Sequence, residues 1–567
     1  RVIRDEEHRV LIVQGPAGSG KTSIALHRVA YLLYRYRDTL SAKNIVIFSP
    51  NAIFNDYIAS VLPELGEENT RQTTFLDSAI EMLGQGVKVE DMYTQLEYLL
   101  ARQDDPAYQV RVQNIAYKAS RDFVQVVHNY LRYLEAGEDL DFSDITWRGQ
   151  VVITREELWR LYRQTYAYLP RRRRLEKIRR RVLYLLRPLQ RERREELLQA
   201  MADNLDYKHL SYKEMRALSR LKVREELAPI RERLKAWTAA DSRQYYARLF
   251  QDQDLFARLA AGTSVPAELG AIREQTLARL AQGEIPYEDL PALLLLKGAL
   301  EGYPSRTDIR HVIIDEAQDY LPLQLEVIAR LFPRSRVTVL ADLNQRVHPY
   351  TQLTDYQTFL EVFGAERAAL VQLTRTYRST REIVAFTRAL LPRPEQVETI
   401  HRPGEKPRLV AAGDRERLAA LVARDLQDLR AAGCGAIAVI CKTAAESRQA
   451  WELLRGDVLK NNPASAQDEG RDIILLRKDD ETFRRGTVVV PAYLAKGLEF
   501  DAVIIWDAGA HVYARESERG LLYTACTRAL HRLHVYFTGR LSPFIADLSP
   551  DLYELVELTR SETAAGE

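Results

Sequence analysis

Cysteine is scarce in this 567-residue chain: Cys434, Cys441 and Cys526 stand in no metal-ligand spacing and no disulfide framework. That pattern speaks against a structural zinc site, suits a reducing cytoplasm, and leaves the thiols as small core residues. Net charge is nearly absent as well, since 81 basic residues against 79 acidic ones leave +2. Any charged partner must therefore be met by a local patch rather than by the whole molecule. Long apolar runs are missing too. Stretches such as Leu293 to Leu296 fall far short of the ~20 residues a spanning helix needs, and no signal-peptide pattern opens the chain. Composition thus points to a cytoplasmic protein without a membrane partner. What is abundant is apolar content, 46% of residues, over a length that exceeds one ordinary core, so several domains are expected.

The most informative stretch is Gly15-Pro-Ala-Gly18-Ser19-Gly20-Lys21-Thr22, a complete GxxxxGK[ST] loop. It lies between an apolar run (Val10 to Val13) and an amphipathic run (Ile24 to Leu33), where such a loop requires a strand and a helix. Glycines at 15, 18 and 20 let the backbone curl so that successive N–H groups, including that of Ser19, face phosphates, and the helix N-terminus adds partial positive charge. Lys21 is expected to reach the β- and γ-phosphates and Thr22 to ligate Mg²⁺, so the pattern predicts an ATP and Mg²⁺ site. The loop follows Arg1 almost at once, and we expect a further segment upstream of it.

Short β-rich runs recur with helical stretches between them: Val10–Val13, Ile45–Phe48, Val312–Ile314 and Val337–Leu340, then Ile437–Ile440, Val488–Val490, Val503–Ile505 and Leu533–Phe537. Alternating strands and helices predict an α/β protein with two tandem parallel sheets of the P-loop NTPase kind and a large helical insertion in the first. The boundaries expected are 1–79 and 285–366 for the first core, 80–284 for the insertion and 367–545 for the second core. Within the second core a minimal inserted piece is placed near 449–486, and a tail follows over 546–567. The insertion reads as helix almost throughout, with Thr154-Arg-Glu-Glu157 as a capping box. Its unusual part is the basic run from Arg171 to Arg187, bracketed by Pro170 and Pro188 and accompanied by Tyr162, Tyr166, Tyr168 and Tyr184. Two readings of that run stand open: a helix that grips the phosphates of single-stranded or displaced nucleic acid, or a solvated face. The prolines predict that it is a separate, movable helix.

Val312-Ile-Ile314-Asp315-Glu316-Ala-Gln318-Asp319 supplies the expected complement to the phosphate loop. Asp315 is expected in the Mg²⁺ shell and Glu316 as the general base that polarises water, both at a strand end, where parallel sheets place ligands. Gln345, after the next strand, is placed to sense the γ-phosphate.

With Tyr377-Arg378-Ser379-Thr380, Ala495-Lys496-Gly497-Leu498-Glu499-Phe500-Asp501 and Tyr523-Thr524-Ala525-Cys526-Thr527-Arg528-Ala529, these stretches resemble the superfamily 1 motors of the UvrD/Rep type, over nearly the whole chain except the insertion. The resemblance implies two RecA-like domains. It also implies that Tyr377 stacks on the base, Glu499 contacts the ribose, and Arg378 and Arg528 reach the γ-phosphate. An arginine supplied from a second domain stabilises transition-state charge only on closure, which couples hydrolysis to motion.

The chain departs from unwinding members at three places. Gln345-Arg-Val-His348-Pro-Tyr350 puts His348 and Tyr350 where a DNA-stacking platform is expected but lacks the Trp-Arg-Gly of that family. Pro491 and Tyr493 replace a Thr and a His that touch DNA, and only a short stretch separates Lys442-Thr443 from Thr487, where relatives carry a duplex-contacting domain. Val13 to Arg37, Pro491 to Ile504 and Leu521 to Tyr536 resemble the HelD-type ATPases. That resemblance implies an ATPase that remodels or recycles bacterial RNA polymerase by domain closure, with an N-terminal arm ahead of the phosphate loop and a helical insertion, both of which enter polymerase channels; the chain is expected to be a monomer. The alternative is a 3′-to-5′ DNA helicase or translocase, which shares every ATPase motif.

Overall fold

The computed structural model describes residues 2–50, 62–63, 68–84, 86–239, 241–346, 348, 350, 356–392, 398–399, 402–461, 473–478, 480 and 486–556. Much of the inserted piece expected near 449–486, and the tail from 557 onward, lie outside these residues. The chain forms two compact units. The first comprises Arg1–Ser120, Ile285–Glu288 and Ser305–Glu567, the second Arg121–Glu284 and Asp289–Pro304. Helices Met92–Ala101 and Tyr108–Lys118, which fall within the insertion expected over 80–284, lie in the first unit, as does Phe75–Leu83 across the expected boundary.

The first unit holds two parallel sheets. Six strands, β1 (Val10–Gln14), β2 (Ile45–Phe48), β3 (Arg71–Thr73), β4 (His311–Ile314), β5 (Arg336–Ala341) and β6 (Ala368–Gln372), form one in the order β6-β1-β5-β4-β2-β3. Seven more, β7 (Arg408–Gly413), β8 (Ile437–Cys441), β9 (Ile473–Leu475), β10 (Thr487–Pro491), β11 (Phe500–Ile505), β12 (Ala529–Thr538) and β13 (Glu554–Val556), form the other in the order β9-β10-β8-β11-β12-β7-β13. The pairings within both sheets are parallel. Inner strands such as Ile45–Phe48 and Ile437–Cys441 are buried at every residue, as apolar runs covered on both faces should be. The two tandem RecA-like sheets expected from the sequence are therefore present. Helix α1 (Lys21–Arg35) packs Ala25, Leu26, Val29, Leu32 and Leu33 against Leu11, Val13, Ile45 and Ile47, a 3.6-residue stripe on the sheet. No described helix is long and apolar enough to cross a membrane.

The second unit is mostly helical, with three departures from the expected pattern. Ile145–Trp147 and Gln150–Ile153 pair as an antiparallel hairpin, turned by Arg148 (φ 53°) and Gly149 (φ 81°). Positive φ at both turn residues matches the right-handed twist of the flanking strands. Thr154 caps the next helix, its hydroxyl accepting from the Glu157 N–H at 3.3 Å, while the Glu157 carboxylate turns to Arg160 instead of closing the box. The basic run opens helix α2 (Arg171–Asp203), 33 residues that pass through Pro188 rather than stopping there, so it is not a short helix bracketed by two prolines. Its apolar side explains the continuity: Leu175, Ile178, Val182 and Leu186 are buried with Trp147, Leu158, Tyr162, Val223, Leu234 and Trp237 in one core. That burial outweighs the loss of one hydrogen bond, which falls on an exposed position.

Two arginines of the run are structural. Arg171 is 2% exposed, pairs with Asp139 at 2.6 Å and also donates to the Leu134 carbonyl. Arg174 donates to the carbonyls of Leu169 (2.7 Å) and Ala167 (2.6 Å) and pairs with Glu135. Neither guanidinium is available to phosphates, contrary to the reading of the whole run as one basic face.

Candidate active site

Three adjacent strands of the first sheet, β1, β5 and β4, deliver the site at their C-terminal ends, the position at which parallel sheets bind ligands. After β1 the loop needs its glycines. Gly18 (φ 72°) and Gly20 (φ 79°) adopt left-handed backbone, and a Cβ on Gly18 would sit 2.4 Å from the Arg378 Cβ and 2.8 Å from the Thr376 hydroxyl. At Gly15 a Cβ would meet the Ser19 hydroxyl at 2.5 Å. Gly20 begins α1 without a side-chain cap, so the first-turn N–H groups are left for an anion. The Ser19 hydroxyl is buried without a hydrogen-bond partner. Lys21 folds back, its ammonium donating to the carbonyls of Gly15 (2.6 Å) and Pro16 (3.1 Å).

Thr22 donates its hydroxyl to Asp315 at 2.8 Å, joining α1 to the end of β4. These are hard oxygen donors of the kind Mg²⁺ prefers. An orphaned serine hydroxyl, uncapped N–H groups, a buried ammonium and this hydroxyl–carboxylate pair together fit a magnesium triphosphate. Burial and the neighbouring Glu316 charge raise the Asp315 carboxyl above its ordinary range, which is the environment a bound cation would relieve.

Glu316 takes left-handed backbone (φ 50°, ψ 40°), a strained conformation for a non-glycine residue. Its carboxylate accepts from the Gln318 amide at 2.6 Å, and the Gln318 carbonyl oxygen accepts from the Asp342 N–H at 3.0 Å, tying the ends of β4 and β5 together. Burial alone would raise the Glu316 carboxyl; the positive charges of Lys496, Lys21 and Arg528 overcome it and hold the group ionised well below the ordinary range.

The second sheet meets this edge with residues that precede its strands. Ahead of β12, Arg528 is 1% exposed and donates to the Gln345 side-chain oxygen at 2.6 Å, while Gln345 donates to Asp342 at 2.6 Å. Burial and the adjacent Arg378 lower the Arg528 guanidinium to about 10. Ahead of β11, Glu499 pairs with Arg378. Tyr377 is 58% exposed, and its backbone N–H donates to the Gly18 carbonyl at 3.0 Å, so the segment bearing Tyr377 and Arg378 lies against the phosphate loop. The structure thus brings Lys21, Thr22, Asp315, Glu316, Gln345 and Arg528 into one connected cluster, with Arg378, Glu499 and Tyr377 beside the loop.

One residue of this cluster went unassigned in the sequence. Lys496, 2% exposed, donates to Asp319 at 2.5 Å and to the Gln345 backbone carbonyl at 3.0 Å, and lies 3.2 Å from Glu316. Burial would lower its ammonium, but the carboxylates of Asp319 and Glu316 raise it. The available signal was a lysine inside Ala495-Lys496-Gly497, an otherwise small and apolar stretch that cannot be a solvated face.

The places expected to carry DNA contacts are occupied from within. His348 is 4% exposed and bonded to the Gln95 side chain at 2.7 Å, and burial lowers its imidazole to about 4. Tyr350 packs beside Leu99, Tyr108 and Ile115. Tyr493 stacks on Tyr93 with ring centroids 5.8 Å apart and donates to Glu97 at 2.8 Å. Glu97 in turn accepts from the Ala444 (2.9 Å) and Ala445 (3.2 Å) N–H groups that open helix Ala444–Asn461.

Residues 487–536 match the family described as UvrD-like helicase C-terminal domain, a span that runs from β10 into β12 and includes Lys496, Glu499 and Arg528. Over 234 residues, 37% of this chain, the sequence is 27% identical to "ATP-dependent DNA helicase UvrD2" of Mycobacterium bovis and of Mycobacterium tuberculosis. The match spans 33% of the length of those relatives. Among solved structures, the C-terminal domain of a possible DNA helicase from Lactobacillus plantarum WCFS1 is 34% identical over 32% of this chain and 99% of its own, with a TM-score of 0.26. Both likenesses are to UvrD-like helicases, and the family match falls on the segment that carries Lys496, Glu499 and Arg528.

Proposed function

We propose that the chain is an ATP hydrolase of the superfamily 1 motor type, working at the junction of its two sheets. The observation that carries this reading is the reach of Lys496 and Arg528, from the second sheet, to Glu316 and Gln345 on the first. Gly15, Gly18, Ser19 and Gly20 cradle the phosphates and Lys21 binds their oxygens. Thr22 and Asp315 hold Mg²⁺, which supplies charge neutralisation for the phosphates. Glu316 accepts a proton from the attacking water, Gln345 positions it, and Arg378 and Arg528 stabilise the charge that develops. Tyr377 and Glu499 hold base and ribose. Because the cations and the base come from different sheets, turnover requires both. Arg528→Ala should lower turnover by about 10³-fold while nucleotide affinity changes less, and Glu316→Gln should bind ATP without turnover; near-normal rates in Arg528→Ala would overturn the assignment.

For the target, we propose bacterial RNA polymerase, remodelled by ATP-driven closure of the two sheets. Support comes from Pro491 and the internally satisfied Tyr493 at the positions where unwinding relatives touch DNA. The second reading, a 3′-to-5′ DNA helicase or translocase, draws on the similarity to the mycobacterial UvrD2 proteins. Capture of core polymerase by the full chain, beside strand separation on a 3′-tailed duplex, discriminates the two.

A further inference from the structure

Helix α2 carries a second surface that the ATP site does not use. At about 100° per residue, Arg173, Lys177, Arg180, Arg181, Tyr184 and Arg187 fall in one sector about 120° wide, opposite the buried Leu175, Ile178, Val182 and Leu186. All six are exposed, Tyr184 by 57%. No acidic residue stands between Glu176 and Glu192. Glu176 lies 3.4 Å from Arg173, which leaves the stretch after it without a carboxylate of its own. From the neighbouring helix, Glu157 bears on Arg181, but it is already held by Arg160 through two hydrogen bonds of 2.6 Å. Tyr184 sits at the middle of this sector, with the guanidinium of Arg181 5.8 Å and that of Arg187 5.7 Å from its ring centroid.

An exposed aromatic ring in a run of cations with no carboxylate between Glu176 and Glu192 is costly as mere surface: like charges repel along the helix and the ring meets water. Both costs are relieved by one kind of ligand, a strand that brings phosphates to the cations and an unpaired base to the ring. Lys177 and Arg187 are separated by about 15 Å along the axis, enough to meet more than one phosphate of a single strand. We infer that this face of α2, centred on Tyr184, binds single-stranded nucleic acid, the base stacking on the tyrosine and the backbone tracking Lys177, Arg180, Arg181 and Arg187.

The test uses the full chain and fluorescence anisotropy of labelled oligothymidylate, with a blunt duplex in parallel, across a salt series. Tyr184→Ala should weaken oligothymidylate binding about tenfold or more and leave duplex binding little changed, whereas Tyr184→Phe should bind as the parent does. The triple variant Lys177→Gln, Arg180→Gln, Arg187→Gln should flatten the log–log salt slope by about two. These side chains are exposed, so thermal denaturation should match the parent, and ATP turnover without nucleic acid should be unaffected. Parental affinity and slope in both variants would overturn the inference. So would loss of polymerase capture with unchanged oligothymidylate binding, which would make the face a protein contact.

Discussion

Lys496 places one positive charge beside Asp319 and beside Glu316, whose carboxyl burial would otherwise drive towards protonation. Glu316 is held below its ordinary range, so its contribution to stability is present above that range and lost only as the pH falls through the depressed value. In Lys496→Met the two carboxylates lose this cation, and removing one member of a buried pair costs about 3–5 kcal/mol. The deficit in melting temperature should be greatest near neutral pH and shrink in acid, where the carboxylates protonate; a pH-independent deficit would mean that Lys496 acts by packing alone. Asp315 has the opposite sign. Its carboxyl is raised, so its favourable contribution exists below the ordinary range and disappears as the pH rises through the raised value. Ionised at neutral pH without a cation, it destabilises the site. Asp315→Asn should therefore melt higher than the parent in chelator, yet lose the additional stabilisation that magnesium and nucleotide give the parent, as thermal-shift curves would read.

At the scale of elements, legibility followed burial. Eight strands were readable because inner strands of a parallel sheet are covered on both faces and spell continuous runs such as IVIF and IAVIC. Those not read include the outermost strands of each sheet, Arg71–Thr73, Ala368–Gln372, Ile473–Leu475 and Glu554–Val556, together with Arg408–Gly413 beside one edge. Exposure on one side breaks their apolar pattern into pieces too short to see. The phosphate loop and the strand ending in Asp315-Glu316 were legible for the same reason, being fixed spacings next to buried runs, while the pairing of Lys496 with Asp319, 177 positions away, has no local trace. The helix α2 shows the limit of reading charge by composition: of four consecutive arginines, Arg171 and Arg174 face the core and Arg172 and Arg173 face water. Arg171→Ala should cost about 3–5 kcal/mol through the orphaned Asp139, while Arg173→Ala should leave stability within about 0.5 kcal/mol. Pro188→Ala restores a donor to the Tyr184 carbonyl one turn earlier and should stabilise the helix by up to about 3 kcal/mol, measured by chemical denaturation.

Across the first unit, one sheet presents the ends of its strands and the other the residues that precede its own, so each half of the candidate site lacks what the other supplies. The same junction carries a second set of links away from the ATP residues. Tyr493 on the second sheet's side is stacked on Tyr93 and bonded to Glu97, and Glu97 caps the helix that begins at Ala444. A strand threading this junction would have to displace a buried tyrosine and strip a carboxylate from two N–H groups, leaving polar groups unpaired at a cost of about 1–3 kcal/mol each. The chain should therefore hydrolyse ATP without separating the strands of a 3′-tailed duplex. Glu97→Ala, which removes the cap and the tyrosine's acceptor, should bind single strands at the junction more tightly than the parent. The comparison is best made with Tyr184→Ala as background, so that the surface on α2 does not mask the change. Processive strand separation by the parent chain would show that these links open in the working motor, and the helicase reading would then stand in place of the polymerase one.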